Sequence, residues 1–307
     1  MTARRTVTGA RRTGLRIRAE QTAAALPPLM VAAERVAATV AQGIHGRRRV
    51  GQGETFWQFR QYQPGDSARI DWRESAKSQR LYIRETEWEA AQSVWLWRDP
   101  SGSMDYSSAE YVAGASWPTK RDRAELLLVA LASLLVRGGE RVALQGSGRA
   151  PLSGRAALTR IVELIEHGEA VRAPAPGVPE FEPIPRAAQL VWIGDFLAPL
   201  ETVNAAVTRF AGAGIKGHLL QIADPAEEDL PFVGRVRFEG VEEPEALLVS
   251  RVETLRGDYA KRYRAHRDGL AAIARGVGWA VGFHRTDRPP HLALLSLHAA
   301  LIADRRR

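Results

Sequence analysis

Two uninterrupted apolar runs limit most what this chain can become: Val94-Trp95-Leu96-Trp97 and Leu190-Val191-Trp192-Ile193, each followed closely by an aspartate, Asp99 and Asp195. Runs without polar alternation belong to strands buried on both faces, as in parallel sheets covered by helices on either side. The remaining pattern agrees. Helical periodicity is expected over residues 29–40, 121–137, 156–167, 199–211, 252–277 and 292–303, and strand-like runs over 141–145, 217–224, 235–239 and 279–284. Strands alternating with helices at this spacing predict an α/β fold: a doubly wound, mostly parallel sheet, preceded by a helix-plus-strand extension.

Composition narrows the classes of function. The chain has no cysteine, which excludes disulfide frameworks, thiolate metal sites and cysteine nucleophiles. The longest apolar run, 126–136, is far shorter than the roughly 18–20 residues of a membrane helix. With no secretory pattern at the start, a cytoplasmic location is expected. The net charge of +8 is concentrated at the ends, in Arg4, Arg5, Arg11, Arg12, Arg16 and Arg18 and in Arg305 to Arg307. Such tails attract nucleic acid, but no aromatic residues interleave with them to stack on bases. A solubilising tail is therefore the reading preferred over nucleic-acid binding.

Three regions follow: a basic tail over 1–20, an extension over 21–90, and the α/β domain over 91–307. Within the extension, Arg60, Asp66, Arg69, Asp71 and Trp72 concentrate opposite charges around an aromatic. Asp66 and Asp71 would serve acid/base work as a pair. Because each has an arginine close in sequence, an ion-pair cluster with a structural or docking role is preferred.

The chemistry centres on Asp99-Pro100-Ser101-Gly102-Ser103. At the end of a buried strand, Asp-x-Ser-x-Ser offers one carboxylate and two hydroxyls, a set that suits a hard cation such as Mg²⁺. An Asx-type turn is the competing explanation for those residues alone. Asp195 tips the balance, because ligands in open parallel sheets gather outside the carboxyl ends of the strands. If the two strands are neighbours, Asp99, Ser101, Ser103 and Asp195 converge.

Those same residues carry a family resemblance. Asp99-Pro100-Ser101-Gly102-Ser103 is similar to the first metal-site motif of von Willebrand factor A-type domains, and Ile193-Gly194-Asp195 resembles their third. Together with Arg60-Gln61-Tyr62-Gln63-Pro64-Gly65-Asp66, Arg69-Ile70-Asp71-Trp72, the stretch from Asp224 to Phe232, and Arg235 to Glu239, they resemble the bacterial "domain of unknown function 58" family. The resemblance implies a von Willebrand A-like, Rossmann-type sheet with a metal site, holding Mg²⁺ or alternatively Mn²⁺ or Ca²⁺. It also implies a protein partner of the MoxR-type AAA+ ATPase class and an assembly, maturation or chaperone-like role. Von Willebrand A-type sites take a further ligand from a threonine in an intervening loop. Here that loop has none, leaving Ser153 as the substitute hydroxyl and Arg155 as a competing cation.

Enzyme signatures are sparse. No phosphate-binding Gly-x-x-x-x-Gly-Lys-Ser/Thr run and no Gly-x-Ser-x-Gly elbow occurs. His284, His291 and His298 are spaced by seven, but Pro289-Pro290 separates the first from the others. The expected function is thus a metal-dependent protein-interaction module that is not an enzyme. An Mg²⁺-dependent phosphohydrolase using Asp99 and Asp195 is the alternative.

Overall fold

The computed structural model describes residues 28–45, 56–61, 75–77, 81–86, 93–112, 114–166, 177–240 and 246–305. They form two compact units, one of them Ile44–Gln92 and the other the rest.

The larger unit begins with α1 (Pro28–His45). Met30, Ala33, Ala37 and Val40 are buried at helical spacing, so one stripe of α1 is core. Glu34 accepts from Ser133 Oγ at 2.7 Å and pairs with Arg137, which joins α1 to the helix carrying those residues. The 21–90 segment therefore divides near Ile44, with its helix grouped with the sheet.

In the smaller unit, β1 (Phe56–Gln61) pairs antiparallel with β2 (Tyr82–Thr86), with a register irregularity between Phe56 and Gln58. The backbone of Arg60 sits opposite Ile83. Asp66, Arg69, Asp71 and Trp72 lie outside the described residues.

From Ser93 onward the chain alternates as expected. Strand β3 (Ser93–Arg98) leads through two short 3₁₀ turns to α2 (Lys120–Arg137), then β4 (Arg141–Leu144) and α3 (Arg155–Glu166). Next come β5 (Gln189–Gly194), α4 (Leu200–Gly212), β6 (Lys216–Ala223) and the short α5 (Pro225–Asp229). A hairpin of β7 (Val236–Glu239) and β8 (Ala246–Val249) precedes α6 (Arg256–Gly276), β9 (Ala280–Arg285) and α7 (Pro290–Arg305).

Five strands make one wholly parallel sheet in the order β4-β3-β5-β6-β9. Alternate residues explain why it is covered on both faces. Trp95, Trp97, Leu190, Trp192 and Leu219 pack on one side with Val203, Val207 and Phe210 of α4 and Leu270 and Ala274 of α6. Trp97 and Trp192 meet edge to face at 5.5 Å between ring centres. The other face is covered by α2, whose residues from Leu127 to Leu135 are all buried, so the longest apolar run is a core helix. Each large side chain buried this way contributes about 1.5–3 kcal/mol. At the far edge, Trp279 lies so close over Gly217 that any Cβ there would stand 2.1 Å from its ring.

Three elements differ from expectation, one of them the short α5, which was not among the expected helices. The helix expected from residue 252 starts at Arg256, because a 3₁₀ turn at Val252–Thr254 buries Val252 first. Strand β8 was not anticipated; its Ala246, Leu247 and Leu248 are exposed and show no alternation.

Candidate metal centre

The strand order fixes where a site can form. After β3 the chain moves outward to β4, then returns to the opposite side of β3 as β5, so the order reverses between β3 and β5. The carboxyl ends of two such strands diverge around a crevice, the usual ligand position of open α/β sheets. Trp97 is level with Trp192 and Arg98 with Ile193, and the Asp99 N–H continues the ladder to Ile193 O at 2.9 Å. Asp99 and Asp195 therefore leave adjacent strands side by side.

The turn after β3 is shaped by Asp99 itself. Its Oδ1 accepts from the Ser101 N–H at 2.8 Å, which turns the chain and sets Ser101 and Ser103 at the mouth of the crevice. Ser101 Oγ is hydrogen-bonded to Ser103 Oγ at 3.0 Å, and Ser103 Oγ donates to Asp195 Oδ2 at 2.6 Å. After β5, Phe196 adopts a left-handed backbone conformation with φ of 55°, unfavourable for a residue with a side chain. Packing against Trp192 at 5.2 Å and a 2.7 Å bond between His266 Nε2 and Phe196 O hold it there. The bend returns the Leu197 N–H to Asp195 Oδ1 at 3.1 Å.

A cation already sits on this floor. Lys120, the first residue of α2, is completely buried, and its Nζ donates to Asp195 Oδ2 at 2.8 Å and to Glu227 Oε1. Burial alone would lower the Lys120 pKa, but Glu227 and Asp195 outweigh it and raise the value. Burial likewise raises Glu227, with Lys120 opposing. Glu227 is delivered by the cap of α5. Asp224 Oδ1 accepts from the Ala226 N–H at 2.8 Å, and Glu227 Oε2 accepts from the Asp224 N–H at 2.8 Å. Asp224 Oδ2 also takes the Ser108 N–H at 2.9 Å and Trp117 Nε1 at 3.2 Å, tying the turn after β3 to α5.

Above the floor lies a crevice of about 650 Å³ with an aromatic wall that includes Tyr106, Phe232, Phe238 and Tyr259. Tyr106 and Tyr259 have raised phenol pKa values, first through burial and then through the nearby acids; Tyr259 is pushed up to about 12. Both therefore present neutral hydroxyls.

Four expected residues thus converge: Asp99, Ser101, Ser103 and Asp195. Ser153 does not join them. Leu152 pairs antiparallel with Val142, which is level with Val94, so the chain is heading away from the carboxyl edge as it reaches the exposed Ser153. From Val94 to Asp99 is about 16 Å along the strand. Arg155 is exposed at the start of α3, so the competing cation is Lys120 rather than Arg155. No three His, Cys, Asp or Glu side chains among the described residues converge as a metal cluster, the three histidines included.

The oxygen set nevertheless fits Mg²⁺. Two ligands sharing an edge of an octahedral shell with bonds of about 2.1 Å stand about 3.0 Å apart, a spacing that the two serine hydroxyls already keep through their mutual hydrogen bond. Charge also fits. Asp99, Asp195 and Glu227 against Lys120 leave two negative charges over, while Arg98 and Arg121 alongside are matched by their own acids, Glu125 and Asp105.

A family model described as "Protein of unknown function DUF58" matches residues 58–269, more than half of the chain. The chain belongs to that family. Similar proteins include uncharacterized proteins of Mycobacterium bovis and Mycobacterium tuberculosis, each 27% identical over 285 residues, a match that covers 87% of this chain and 85% of theirs. Among solved structures, a conserved hypothetical protein BatB from Bacteroides thetaiotaomicron covers 70% of this chain and 100% of its own at 12% identity and a TM-score of 0.33. An aerotolerance-related membrane protein from Bacteroides fragilis covers 69% and 99% at 16% identity and a TM-score of 0.36. Likeness at that level adds nothing to the topology. Among the described residues of the DUF58 chain, no helix is long and apolar enough to cross a membrane.

Proposed function

We propose that this chain is a cytoplasmic, metal-dependent protein-interaction module, built on a von Willebrand A-like sheet and working with a MoxR-type AAA+ ATPase in assembly or maturation. The observation that carries the proposal is the convergence of the Ser101 and Ser103 hydroxyls on Asp195, at the open end of the β3–β5 junction. Ser101 and Ser103 would hold Mg²⁺ with Asp195, while Asp99 orients the turn that carries them. Bound there, the ion supplies an electrophilic position for a carboxylate from the partner.

The rim supports binding rather than turnover. Tyr111 stacks edge to face with Phe232 at 6.2 Å, and Phe232 with Phe238 at 5.9 Å. Tyr111 and Leu247, the latter paired with Phe238 across the hairpin, are largely exposed. Exposed apolar surface beside a polar centre is characteristic of protein-interaction sites. On the floor, Asp195 and Glu227 are both engaged by Lys120, and Asp99 by the Ser101 N–H, so each carboxylate already has a structural task.

The test is binding of the purified ATPase to the chain, in Mg²⁺ and in chelator, with Ser101→Ala/Ser103→Ala alongside the parent. Removing the two hydroxyls or the metal is expected to weaken binding at least tenfold, or about 1.4 kcal/mol. Equal binding in chelator would sink the metal dependence. Mg²⁺-dependent hydrolysis of a phosphate ester that disappears in Asp99→Ala would favour the phosphohydrolase alternative instead.

A further inference from the structure

The resident ammonium bears directly on how the site would take an ion. Lys120 is completely buried, yet it is anchored at the N-terminus of α2 by a cap in which Thr119 Oγ1 accepts from the Asp122 N–H at 3.0 Å. Its position is thus set by the helix rather than by surface flexibility. It reaches Asp195 Oδ2, the same oxygen that accepts from Ser103 Oγ. It is also shared with Glu227, which provides a second carboxylate on the same floor.

We infer that Lys120 is a built-in competitor for the metal position: its charge holds the Asp195 end of the floor together without an ion and makes the chain a weak, exchangeable binder of divalent cations. The inference deepens the proposed function and rests on it. An ion on Asp195 Oδ2 would stand within about 5 Å of the ammonium, the sum of a Mg–O bond and the observed N–O distance. At that separation, repulsion between a divalent ion and a fixed positive charge exceeds one power of ten in affinity, even at an effective dielectric constant of about 20. The same charge is stabilising without the ion. Asp195 and Glu227 would repel one another without the ammonium between them, and a buried carboxylate left without its partner is costly.

Lys120→Met keeps much of the side-chain length and removes the charge; Lys120→Arg keeps the charge. Titration calorimetry with Mg²⁺ and with Mn²⁺ on the full chain should show Lys120→Met binding at least tenfold more tightly than the parent, with Lys120→Arg no tighter than the parent. Thermal melts should show that Lys120→Met is less stable than the parent in chelator and gains more from added Mg²⁺. A purely structural lysine would lower stability without raising metal affinity. If the parent binds the ion and Lys120→Met binds it no better, the inference falls while the metal site stands. If neither binds, the metal reading fails and takes the inference with it. Should Lys120→Met not fold in chelator, recovery of its circular dichroism by Mg²⁺, but not by NaCl of equal ionic strength, supports the inference; failure to recover overturns it.

Discussion

A Cβ at Gly194 would stand 2.9 Å from Asp99 Cβ and 3.1 Å from Asp99 Oδ2, so the two strand ends approach closely only because that position has no side chain. Gly194→Ala must push Asp99 or the end of β5 aside. We expect it to cost about 1–3 kcal/mol of stability and to weaken Mg²⁺ binding, as read by urea denaturation and calorimetry. At this scale the sequence was partly legible. Asp99 and Asp195 declared themselves because an acid that ends an apolar strand has few structural reasons to be there. Lys120 did not, since Lys120-Arg121-Asp122-Arg123 reads as an ordinary charged helix start; only the fold shows that Lys120 and Arg123 are buried and that Lys120 meets the two acids. Glu227 left a usable trace, because Asp224-Pro225-Ala226-Glu227 has the spacing of a reciprocal helix cap. Ser153 was misplaced because its loop could be positioned only by knowing that Leu152 pairs with Val142.

Among the elements, α2 is held at both ends. Near its start, Arg123 donates to Thr286 O at 2.7 Å and to Arg288 O at 2.6 Å, and Arg123 Nη1 stands 3.1 Å from His284 Nε2 on β9. That geometry makes the imidazole an acceptor and therefore neutral. Burial, then Arg123, lowers the His284 pKa to about 4, with Asp287 opposing. Since the folded value lies below the ordinary 6.5, the contribution is complete above about pH 6.5 and is lost as the pH falls through about 4. Between about pH 7 and about pH 4.5 the parent should lose about 2–3 kcal/mol more stability than His284→Gln, as measured by urea denaturation at both values. Elements of this kind were the most readable part of the chain. The central strands and α2 announce themselves by unbroken apolar runs, whereas β8 shows neither alternation nor burial and depends on pairing with β7. The extra turn at Val252 was hidden because a buried valine beside a helix looks like part of it.

For the whole molecule, α1 belongs with the larger unit although it lies before the smaller one in sequence. Removing residues 1–45 takes away the buried Met30 and Val40 as well as the Glu34 contacts to α2. The loss should be about 3–6 kcal/mol, a drop of about 10 °C in melting temperature, with the sheet retained by circular dichroism. An unchanged melting temperature would mean that α1 is an appendage. The sheet order has a mechanical consequence as well. A partner held at the proposed site would pull on the ends of β3 and β5, two adjoining inner strands, along their own axes. Because the two strands are parallel and would be drawn the same way, the ladder between them is not sheared; the load passes sideways into the β3–β4 and β5–β6 ladders, whose hydrogen bonds lie across the pull and share it. The crevice is thus placed where a pull on two inner strand ends would be spread over four strands of the sheet.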